Sequence, residues 1–396
     1  MHPAEHIKGC KDDLLAGKRI VLAVTGSIAA VETVRLAREL VRHGADVVPA
    51  MSSAATRIIH PDSLWFACGI RPVVELTGAV EHVSLCGEVP DRADLLLIAP
   101  CTANTVGKIA CGVDDTVVTT MATTAIGTGI PVMVVPAMHS SMYNNPIVGE
   151  NLKKLEDAGI YFVSPRFEEK KAKMASVEDV VASALRVLGP GSLEGKKVLV
   201  VAGATQEPLD DMRMVTNRST GKMGSEIALE AFRLGGDVVL LMGSGGCVAH
   251  NGISRQEFVT SSQLFDIVGK MDAFDVIIVP AAISDYAPVV VKGKIPSGKD
   301  DLTVEMQALP KLLPVLRKLA RVLVAFKAES NVEKSVLENR SRKLLDLADI
   351  VVANDIKDVD EDSTSVLIVK NQGVLEAKGG KDVVSRAIME EVCRLV

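Results

Sequence analysis

The 396-residue sequence predicts two doubly wound α/β domains in tandem, each built around a parallel sheet. A short apolar run, a glycine turn and a helix pattern follow one another at residues 19–29 (RIVLAVTGSIA) and again at 196–224. After each opening, apolar strands alternate with helical patterns, as parallel sheets require. A chain of this length also exceeds one ordinary hydrophobic core. We therefore expect one domain over residues 1–188, a connector over 189–195 and a second domain over 196–396.

The composition excludes several classes of protein. Hydrophobic residues make up 48% and charged residues 24% of the chain, which is typical of a globular protein. The net charge of -6 and the absence of a basic run argue against a nucleic-acid partner. Seven scattered cysteines without a CxxC pair favour a reducing compartment. With no signal-peptide pattern and no bilayer-length apolar run, we expect a cytoplasmic protein that has no membrane partner.

The first half contains five short apolar runs that predict buried parallel strands. We expect these strands at residues 20–24, 46–50, 95–99, 132–135 and 160–163. We expect helices at residues 28–43, 52–59, 105–110, 147–158 and 177–188. The helix over 28–43 has one apolar face and ends at Gly44.

Polar turns follow these strands, where ligands of parallel sheets bind. They read TGS (25–27), MSS (51–53), APCTANT (99–105) and PAMHSSMYNNP (136–146). Gly26 and Ser27 open a helix, whose free N–H groups suit a phosphate. The spacing is not GxGxxG, so it does not support a dinucleotide fingerprint. Each turn alone is ordinary turn chemistry, but together they predict one polar site.

His82 is a further candidate, in the segment VEHVSLCGEVPDRADLLL. We expect it in a loop before a strand, beside the polar site. One alternative is a surface histidine in a connection. The functional interpretation is a general base, since histidine can accept a proton near neutral pH.

The motifs TGSIAA, EHVSL, APCTANT and PAMHSSMY resemble those of the flavin-dependent cysteine decarboxylases. The resemblance implies a flavodoxin-like fold that binds FMN at the strand ends, at a trimer interface. It implies that His82 is the catalytic base and that Met138, His139 and Met142 contact the substrate. The residues that it implies for FMN are Gly26, Ser27, Ser53, Thr102 and Asn104.

Two departures from this family stand out. His139 occupies the place of an asparagine, although it can still donate a hydrogen bond to a carboxylate. The family's mobile flap carries a proton-donating cysteine in an ACGxxGxGRM segment, and the corresponding PRFEEKKAKMASVED (165–179) has none. Cys101 and Cys111 are present elsewhere, and we expect Cys111 to pack a helix. The proton donor stays open.

The second half repeats the alternation after the connector GPGSLEG. We expect strands at residues 198–201, 238–241, 276–280, 322–326 and 350–353. We expect helices at residues 221–234, 264–271, 312–319 and 335–347, and a last helix with Val384, Ile388 and Val392 on its apolar face. A hairpin over 364–369 and 374–376 predicts an antiparallel edge to the Rossmann-like sheet.

Polar residues again follow the strands. Residues 219–222 (STGK) are either a phosphate cradle or a capped helix start. Asp285 comes directly after a strand and can hold Mg²⁺ beside a nucleotide. Lys292 and Lys294 lie in a polar loop that we expect to be mobile, where lysines are usually just solvated.

The segments TQEPLDDMR, TNRSTGKMG, AAISDY and ANDI resemble phosphopantothenate–cysteine ligase. A decarboxylase followed by a ligase on one chain is similar to the bifunctional proteins of coenzyme A biosynthesis. The resemblance implies that Asn217 contacts an acyl intermediate and that Lys294 is a catalytic residue that stabilises charge on a triphosphate. The nucleotide contacts that it implies are Ser219, Gly221, Lys222, Ala281, Asp285, Lys294 and Phe326.

The same resemblance implies the chemistry and its partners. The substrates would be 4'-phosphopantothenate, cysteine and CTP with Mg²⁺, although FKAE (326–329) is closer to ATP-using relatives. Trimers of the first half and dimers of the second would combine into a dodecamer. The alternatives are a regulatory or scaffold protein that retains FMN without decarboxylating, and an NAD(P)-dependent enzyme, for which the glycine fingerprint is absent.

Overall fold

The computed structural model describes residues 2–168, 171–247, 250–297, 301–358 and 363–396. The chain divides into two compact units, Met1–Gly189 and Pro190–Val396. Among the described residues, no helix combines the length and the apolar character that crossing a bilayer takes.

The first unit alternates strands and helices. Its strands are β1 (Arg19–Val24), β2 (Asp46–Met51), β3 (Leu95–Cys101), β4 (Val132–Pro136), β5 (Met138–His139), β6 (Tyr161–Phe162), β7 (Arg166–Glu168) and β8 (Lys171–Lys173). Its α-helices are α1 (Thr33–Arg42), α2 (Pro61–Cys68), α3 (Glu81–Cys86), α4 (Ala103–Ala110), α5 (Val117–Gly127), α6 (Ser140–Tyr143), α7 (Pro146–Asp157) and α8 (Val177–Leu188). Short 3-10 helices lie at Glu5–Ile7, Ile28–Glu32 and Ala55–Arg57.

The five-stranded sheet of this unit has the order β2-β1-β3-β4-β6, and every pairing is parallel. Apolar side chains of α1, α2 and α8 pack on one face, and those of α4, α5 and α7 pack on the other. This is the flavodoxin-like strand order, which reverses between β1 and β3. The carboxyl ends of these two strands therefore border a crevice.

A separate antiparallel ribbon has the order β5-β8-β7. Met138 of β5 pairs with Ala172 of β8, and Lys173 of β8 pairs with Arg166 of β7. The segment that replaces the family's flap is thus a hairpin docked on the PAMH strand.

The second unit is built on a larger sheet. Its strands are β9 (Lys197–Ala202), β10 (Gln206–Pro208), β11 (Met214–Thr216), β12 (Asp237–Gly243), β13 (Ser254–Phe258), β14 (Phe274–Val279), β15 (Tyr286–Pro288), β16 (Met306–Ala308), β17 (Ala320–Glu329), β18 (Ile350–Asp355), β19 (Ser363–Lys370) and β20 (Gly373–Gly380). Its α-helices are α9 (Lys222–Arg233), α10 (Ser261–Val268), α11 (Leu313–Leu319), α12 (Lys334–Arg342) and α13 (Lys381–Cys393). Short 3-10 helices lie at Lys343–Asp346 and Ile356–Asp358.

The eight strands of this sheet have the order β13-β12-β9-β14-β17-β18-β19-β20. The first six are parallel, and β19 and β20 add an antiparallel edge. The order reverses between β9 and β14, which opens a second crevice at their carboxyl ends. Two small ribbons, β10–β11 and β15–β16, lie outside the sheet.

The predicted fold class, two doubly wound parallel-sheet domains, is confirmed. Several local expectations differ, among them the helix predicted over 52–59, where only the 3-10 helix Ala55–Arg57 forms and α2 begins at Pro61. The helix predicted over 28–43 begins as the 3-10 helix Ile28–Glu32, where the Thr33 hydroxyl donates to the Ala30 carbonyl at 2.6 Å and competes with regular helical bonding. His82 lies in α3 and not in a loop. The edge strand β13 was missed because most of its residues are exposed and polar, which hides a strand pattern.

Candidate active sites

Thr25 ties the two strands that border the first crevice. Its hydroxyl donates to the Pro100 carbonyl at 2.7 Å, and its backbone N–H donates to the same oxygen at 3.3 Å. The N–H of Thr102 donates to the Thr25 hydroxyl at 3.1 Å. The turns TGS and APCTANT therefore meet. Thr25 could not be singled out from the sequence, because its role depends on β1 and β3 being neighbours.

The residues expected to hold FMN lie at these strand ends. The Ser27 hydroxyl accepts from the Ala29 N–H at 3.4 Å, and the Thr102 hydroxyl accepts from the Thr105 N–H at 3.3 Å. Gly26 is required for packing, since a Cβ there would lie 2.4 Å from the Cβ of Ala54. The other two residues, Ser53 and Asn104, are exposed.

A cavity of about 630 Å³ adjoins this edge. Of the predicted residues, Ser27, Met138 and His139 line it. Arg166 and Lys173 of the β7–β8 hairpin, which were not predicted, line it as well. The predicted residues outside its wall are Gly26, Ser53, His82, Thr102, Asn104 and Met142.

The residues present fit a flavin mononucleotide. The hydroxyls of Ser27 and Thr102 and the first N–H groups of two helices suit a phosphate. The cavity volume falls within the range of small-molecule sites, about 300–1,000 Å³. Polar strand ends beside a cavity of this size are what a phosphate joined to a planar ring needs.

His82 is the second residue of α3. Its Nδ1 atom is buried and has no hydrogen-bond partner among the described residues. Val80, which precedes the helix, has a φ of 51°, a left-handed conformation that strains a β-branched residue. A strained backbone conformation before the helix and a buried ring nitrogen without a hydrogen-bond partner are both typical of a functional site.

Glu81 anchors the same helix. Its carboxylate accepts hydrogen bonds from the Thr77 hydroxyl at 2.5 Å and from the Thr77 N–H at 2.9 Å. These bonds, the hydroxyl first, lower the pKa of Glu81. Glu81 therefore holds its charge and fixes the position of His82.

Neither Cys101 nor Cys111 is placed to replace the missing flap cysteine. Cys101 is fully buried in β3, and burial raises the pKa of its thiol. Cys111 is exposed at the end of α4, so the expectation that it packs a helix was wrong. His139 is exposed, with its Nδ1 3.1 Å from the Ser141 hydroxyl.

Thr205 and Ser284 join the strand ends of the second crevice. The Thr205 hydroxyl donates to the Ser284 hydroxyl at 3.0 Å, and the Ser284 N–H donates to the Thr205 hydroxyl at 2.9 Å. The Ala282 N–H donates to the Gly203 carbonyl at 2.8 Å. Thr205 and Ser284 could not be singled out from the sequence either, because their contact depends on β9 and β14 being neighbours.

Asn217 lies at this junction. Its side-chain amide donates to the Ala282 carbonyl at 3.3 Å, and the adjacent Thr216 hydroxyl donates to the Thr205 carbonyl at 2.8 Å. Asn217 is nevertheless exposed, so a ligand in the crevice can reach it.

Glycines bring the start of α9 close to β9 and β14. Gly221 precedes the helix with a φ of 76°. A Cβ at Gly224 would lie 2.3 Å from the Cβ of Ala202 and 3.1 Å from Cγ of Pro280. Ser219 is exposed before this helix start, and Lys222 is its first residue. The helix N-terminus thus points its N–H groups at the crevice.

Asp285 lies in the loop between β14 and β15. Its carboxylate pairs with the Lys311 ammonium at 2.5 Å. Across the parts of the chain that the structure describes, no group of three or more His, Cys, Asp or Glu side chains could hold a metal. Asp285 therefore suits Mg²⁺ only as one ligand of an ion that nucleotide phosphates also bind.

The remaining residues that were predicted to contact the nucleotide, Ala281 and Phe326, are apolar. Ala281 is half-buried after β14. Phe326 is half-buried in β17, the neighbour of β14. Both lie on the carboxyl side of the sheet.

Two hydrogen bonds from the backbone hold the loop on either side of Lys294. The Asp210 carboxylate accepts from the Ile295 N–H at 3.0 Å, and the Asp211 carboxylate accepts from the Gly293 N–H at 3.2 Å. The bond from Ile295, followed by those from Met212 and Arg213, lowers the pKa of Asp210. Lys294 itself is exposed.

Glu207 and Asp355 are buried carboxylates with positioning roles. Glu207 accepts from the Ser261 N–H at 2.9 Å and from the Ser261 hydroxyl at 2.6 Å. Burial raises the pKa of Asp355, but hydrogen bonds from the N–H groups of Asn331, Lys357 and Val332 outweigh it and lower the pKa to about 2. Glu207 thus fixes the start of α10, and Asp355 fixes the loop after β17 and the 3-10 helix that follows β18.

Two α/β units, each with a polar crevice at its strand-order reversal, define an α/β protein with a candidate small-molecule site in each unit. A Flavoprotein family model matches residues 11–189, and the model of the DNA/pantothenate metabolism flavoprotein C-terminal domain matches residues 193–395. The coenzyme A biosynthesis bifunctional protein CoaBC of Thermococcus kodakarensis is 46% identical over 379 residues, 93% of each chain. That of Methanocaldococcus jannaschii is 37% identical over 405 residues, which cover 100% of this chain and 98% of its own. The chain belongs to the family of coenzyme A biosynthesis bifunctional proteins.

Solved structures resemble parts of the chain. The DNA/pantothenate metabolism flavoprotein from Streptococcus pneumoniae is 23% identical with a TM-score of 0.46, and the match covers 50% of this chain and 98% of that one.

Proposed function

We propose that the chain is a bifunctional enzyme of coenzyme A biosynthesis. The second half joins 4'-phosphopantothenate to cysteine through an acyl-nucleotide, and the first half uses FMN to decarboxylate the product to 4'-phosphopantetheine. The observation that carries the proposal is the likeness to a bifunctional relative, which reaches 46% identity over 93% of each chain. The two crevices support it, since each contains the motifs of one half.

The ligase reaction starts from a carboxylate, which is a poor electrophile. Its oxygen attacks the α-phosphorus of CTP, which forms an acyl-cytidylate and releases pyrophosphate; the cysteine amine then displaces CMP. The protein must position the reactants and stabilise charge. Asn217 holds the acyl-nucleotide above the strand ends, Ser219, Gly221 and Lys222 line the phosphates, and Lys294 stabilises the triphosphate.

CTP is the nucleotide that we propose, with ATP as the second candidate because of the sequence FKAE at 326–329. Ala281 and Phe326 border the base. Mg²⁺ enters with the nucleotide, and Asp285 leaves Lys311 to become one of its ligands.

The decarboxylase half needs an electron sink, because loss of CO₂ from a cysteine carboxyl would leave an unstabilised carbanion. FMN, when bound, supplies a two-electron oxidation of the cysteinyl side chain and later returns the electrons. Gly26, Ser27, Ser53, Thr102 and Asn104 hold the cofactor. His82 accepts a proton from the substrate, and its buried, unpartnered Nδ1 supports this role.

The PAMH segment, residues 136–139, binds the carboxylate of the substrate. His139 donates to the substrate carboxylate in place of the family's asparagine, beside Met138 and Met142. The β7–β8 hairpin covers this segment and keeps water from the reaction.

We propose trimers of the first half and dimers of the second, which combine into a dodecamer. The ribbons β10–β11 and β15–β16 support the dimer, since they and the adjoining loops expose Met212, Met214, Tyr286, Val290 and Met306. A cytoplasmic location agrees with all seven cysteines being free thiols.

One assay tests the proposal. Purified protein with FMN is incubated with 4'-phosphopantothenate, cysteine, Mg²⁺ and either CTP or ATP, and CO₂ and both products are measured. We expect 4'-phosphopantetheine. Accumulation of phosphopantothenoylcysteine without CO₂ would favour the second candidate for the first half, an FMN-binding regulator, which the missing flap cysteine favours. Absence of both products would overturn the proposal.

A further inference from the structure

The β5-β8-β7 ribbon brings His139, Lys173 and Arg166, described side chains that can carry positive charge, to one face. His139 pairs with Lys171 of β8, and Lys173, two residues further along, pairs with Arg166 of β7. Paired residues and residues two apart share a face of a sheet. His139, Lys173 and Arg166 therefore point the same way, and all three line the cavity of about 630 Å³.

The hairpin that supplies two of these side chains is well held. The Arg166 Nε donates to the Met174 carbonyl at 3.3 Å, which fixes the guanidinium group beside the cavity. On the other face, the ring of Phe167 meets that of Tyr143 edge-on, with centroids 5.3 Å apart. The further cation of the cavity wall, Arg35, is paired with Glu178. Glu32 adds a carboxylate to the same wall, so its three cations exceed its two carboxylates by one formal charge, which the ribbon supplies.

We propose that Arg166 and Lys173 bind the 4'-phosphate of the substrate in the decarboxylase half, an inference that rests on the proposed function. This substrate carries two anionic groups. Its carboxylate loses its charge as CO₂ leaves, so strong cationic contacts there would stabilise the ground state and slow the reaction. The phosphate keeps its charge throughout. A guanidinium group binds phosphate in a bidentate manner and an ammonium adds a point charge, so this pair anchors the substrate without opposing the chemistry.

The spacing of the ribbon agrees with the length of the substrate. Arg166 and His139 lie two strands apart and two residue positions apart along the strands, so their Cα atoms are separated by roughly 12 Å. Phosphorus and the carboxylate carbon of phosphopantothenoylcysteine are separated by about twelve bonds, the length of about four extended residues, or roughly 14 Å. One ribbon can therefore hold the carboxylate at His139 and the phosphate at Arg166.

The experiment compares Arg166→Gln and Lys173→Gln with Lys153→Gln in the full chain loaded with FMN. Lys153 is an exposed lysine of α7 that pairs with Asp157, so its substitution makes the same change in charge away from the cavity. Each protein is given phosphopantothenoylcysteine and its analogue without phosphate. For the two ribbon variants we expect KM for the phosphorylated substrate to rise roughly 10- to 100-fold with kcat unchanged. KM for the analogue without phosphate should stay at the wild-type value. Lys153→Gln should leave KM for both substrates unchanged.

A binding measurement separates this inference from the proposed function. By calorimetry, wild type should bind 4'-phosphopantetheine more tightly than pantetheine. Arg166→Gln should reduce this difference in affinity. If wild type releases no CO₂ but this pattern holds, the proposed function fails and the phosphate site stands. Equal losses for both substrates, a fall in kcat alone, or no change in the phosphate preference would each overturn the phosphate site.

Discussion

At the residue scale, His82 combines a buried, unpartnered Nδ1 with a strained residue two positions before it. The charged Glu81 fixes the helix that carries it, through Thr77. A ring held in this way can exchange a proton with a ligand without first breaking a bond within the protein.

His82→Asn should lower the rate of CO₂ release by about 100-fold or more, because the amide cannot accept the proton that general base catalysis requires. Formation of phosphopantothenoylcysteine should continue at the wild-type rate. His60→Asn is the matched control, since His60 is the exposed N-cap of α2, where asparagine serves equally well. A folded His82 variant that lost both activities would contradict two independent sites.

Asn217→Asp should stall the ligase at the acyl-nucleotide, with product formation about 100-fold slower. The carboxylate cannot donate to the Ala282 carbonyl and repels the phosphates that the amide tolerates. Quenched reactions analysed by mass spectrometry should show the intermediate accumulating. Asn371→Asp, in the exposed β19–β20 turn, should behave as wild type. Normal product release by the Asn217 variant would remove this residue from the mechanism.

Asp355 contributes to the stability of the fold, and this contribution is lost in acid. Its pKa in the folded protein is about 2, below the ordinary 3.8. A lowered carboxyl pKa stabilises the fold above the unfolded value, and that contribution is lost as the pH falls from about 4 towards 2. Asp355→Asn should therefore be less stable at neutral pH and lose less stability between about pH 5 and pH 2.

Denaturant unfolding of wild type and Asp355→Asn at several pH values checks this expectation. The unfolding transition that belongs to the second unit should be followed, because a chain of two units need not unfold in one step. Parallel pH profiles for the two proteins would show that Asp355 does not contribute in this way.

At the scale of elements, the start of α9 is the best example of a helix placed by glycine. Gly224 lets the helix lie against Ala202 of β9 and Pro280 after β14. The same contact aims the helix N-terminus, with Ser219 and Lys222 beside it, at the second crevice.

Gly224→Ala should destabilise the second unit by about 1–3 kcal/mol, because the added methyl group would lie 2.3 Å from the Cβ of Ala202 in β9 and forces the helix outward. The KM for the nucleotide should rise as well. Gly149→Ala is the control, since Gly149 lies within α7 with nothing near its added Cβ, and it should stabilise by up to about 1 kcal/mol. Equal effects at the two positions would contradict the packing argument.

At the scale of the whole molecule, the second unit exposes apolar side chains around its two small ribbons. Val290 is 53% exposed next to β15, and Met212 is 68% exposed in the turn between β10 and β11. Apolar groups concentrated on one surface favour association between chains.

Val290→Asp should convert the proposed dodecamer into smaller particles, because a charge in an apolar contact must be desolvated. Mass photometry or light scattering measures the change. Val383→Asp is the control, since Val383 is 45% exposed in the first turn of α13, where a negative charge is tolerated. An unchanged particle mass for Val290→Asp would place the contact between chains elsewhere.

Strands such as β1, β3, β9 and β14 could be predicted within a residue or two, because an unbroken apolar run is a local property. The same holds for the polar turns that follow them. The β7–β8 hairpin could not be predicted, since its residues are mostly charged and its strands are defined by pairing with β5. Arg166 and Lys173 therefore could not be predicted as residues of the cavity wall.

The sequence by itself determined the two α/β units, the sides of the sheets that bear polar residues and the family to which the chain belongs, since these depend on short patterns read in order. Only the tertiary structure decided which turns meet. Thr25 joins Pro100 and Thr205 joins Ser284 because particular strands are neighbours. His139, Lys173 and Arg166 share a face because of strand register. Neighbours and register are set by hydrogen bonds between distant parts of the chain, which no local pattern encodes.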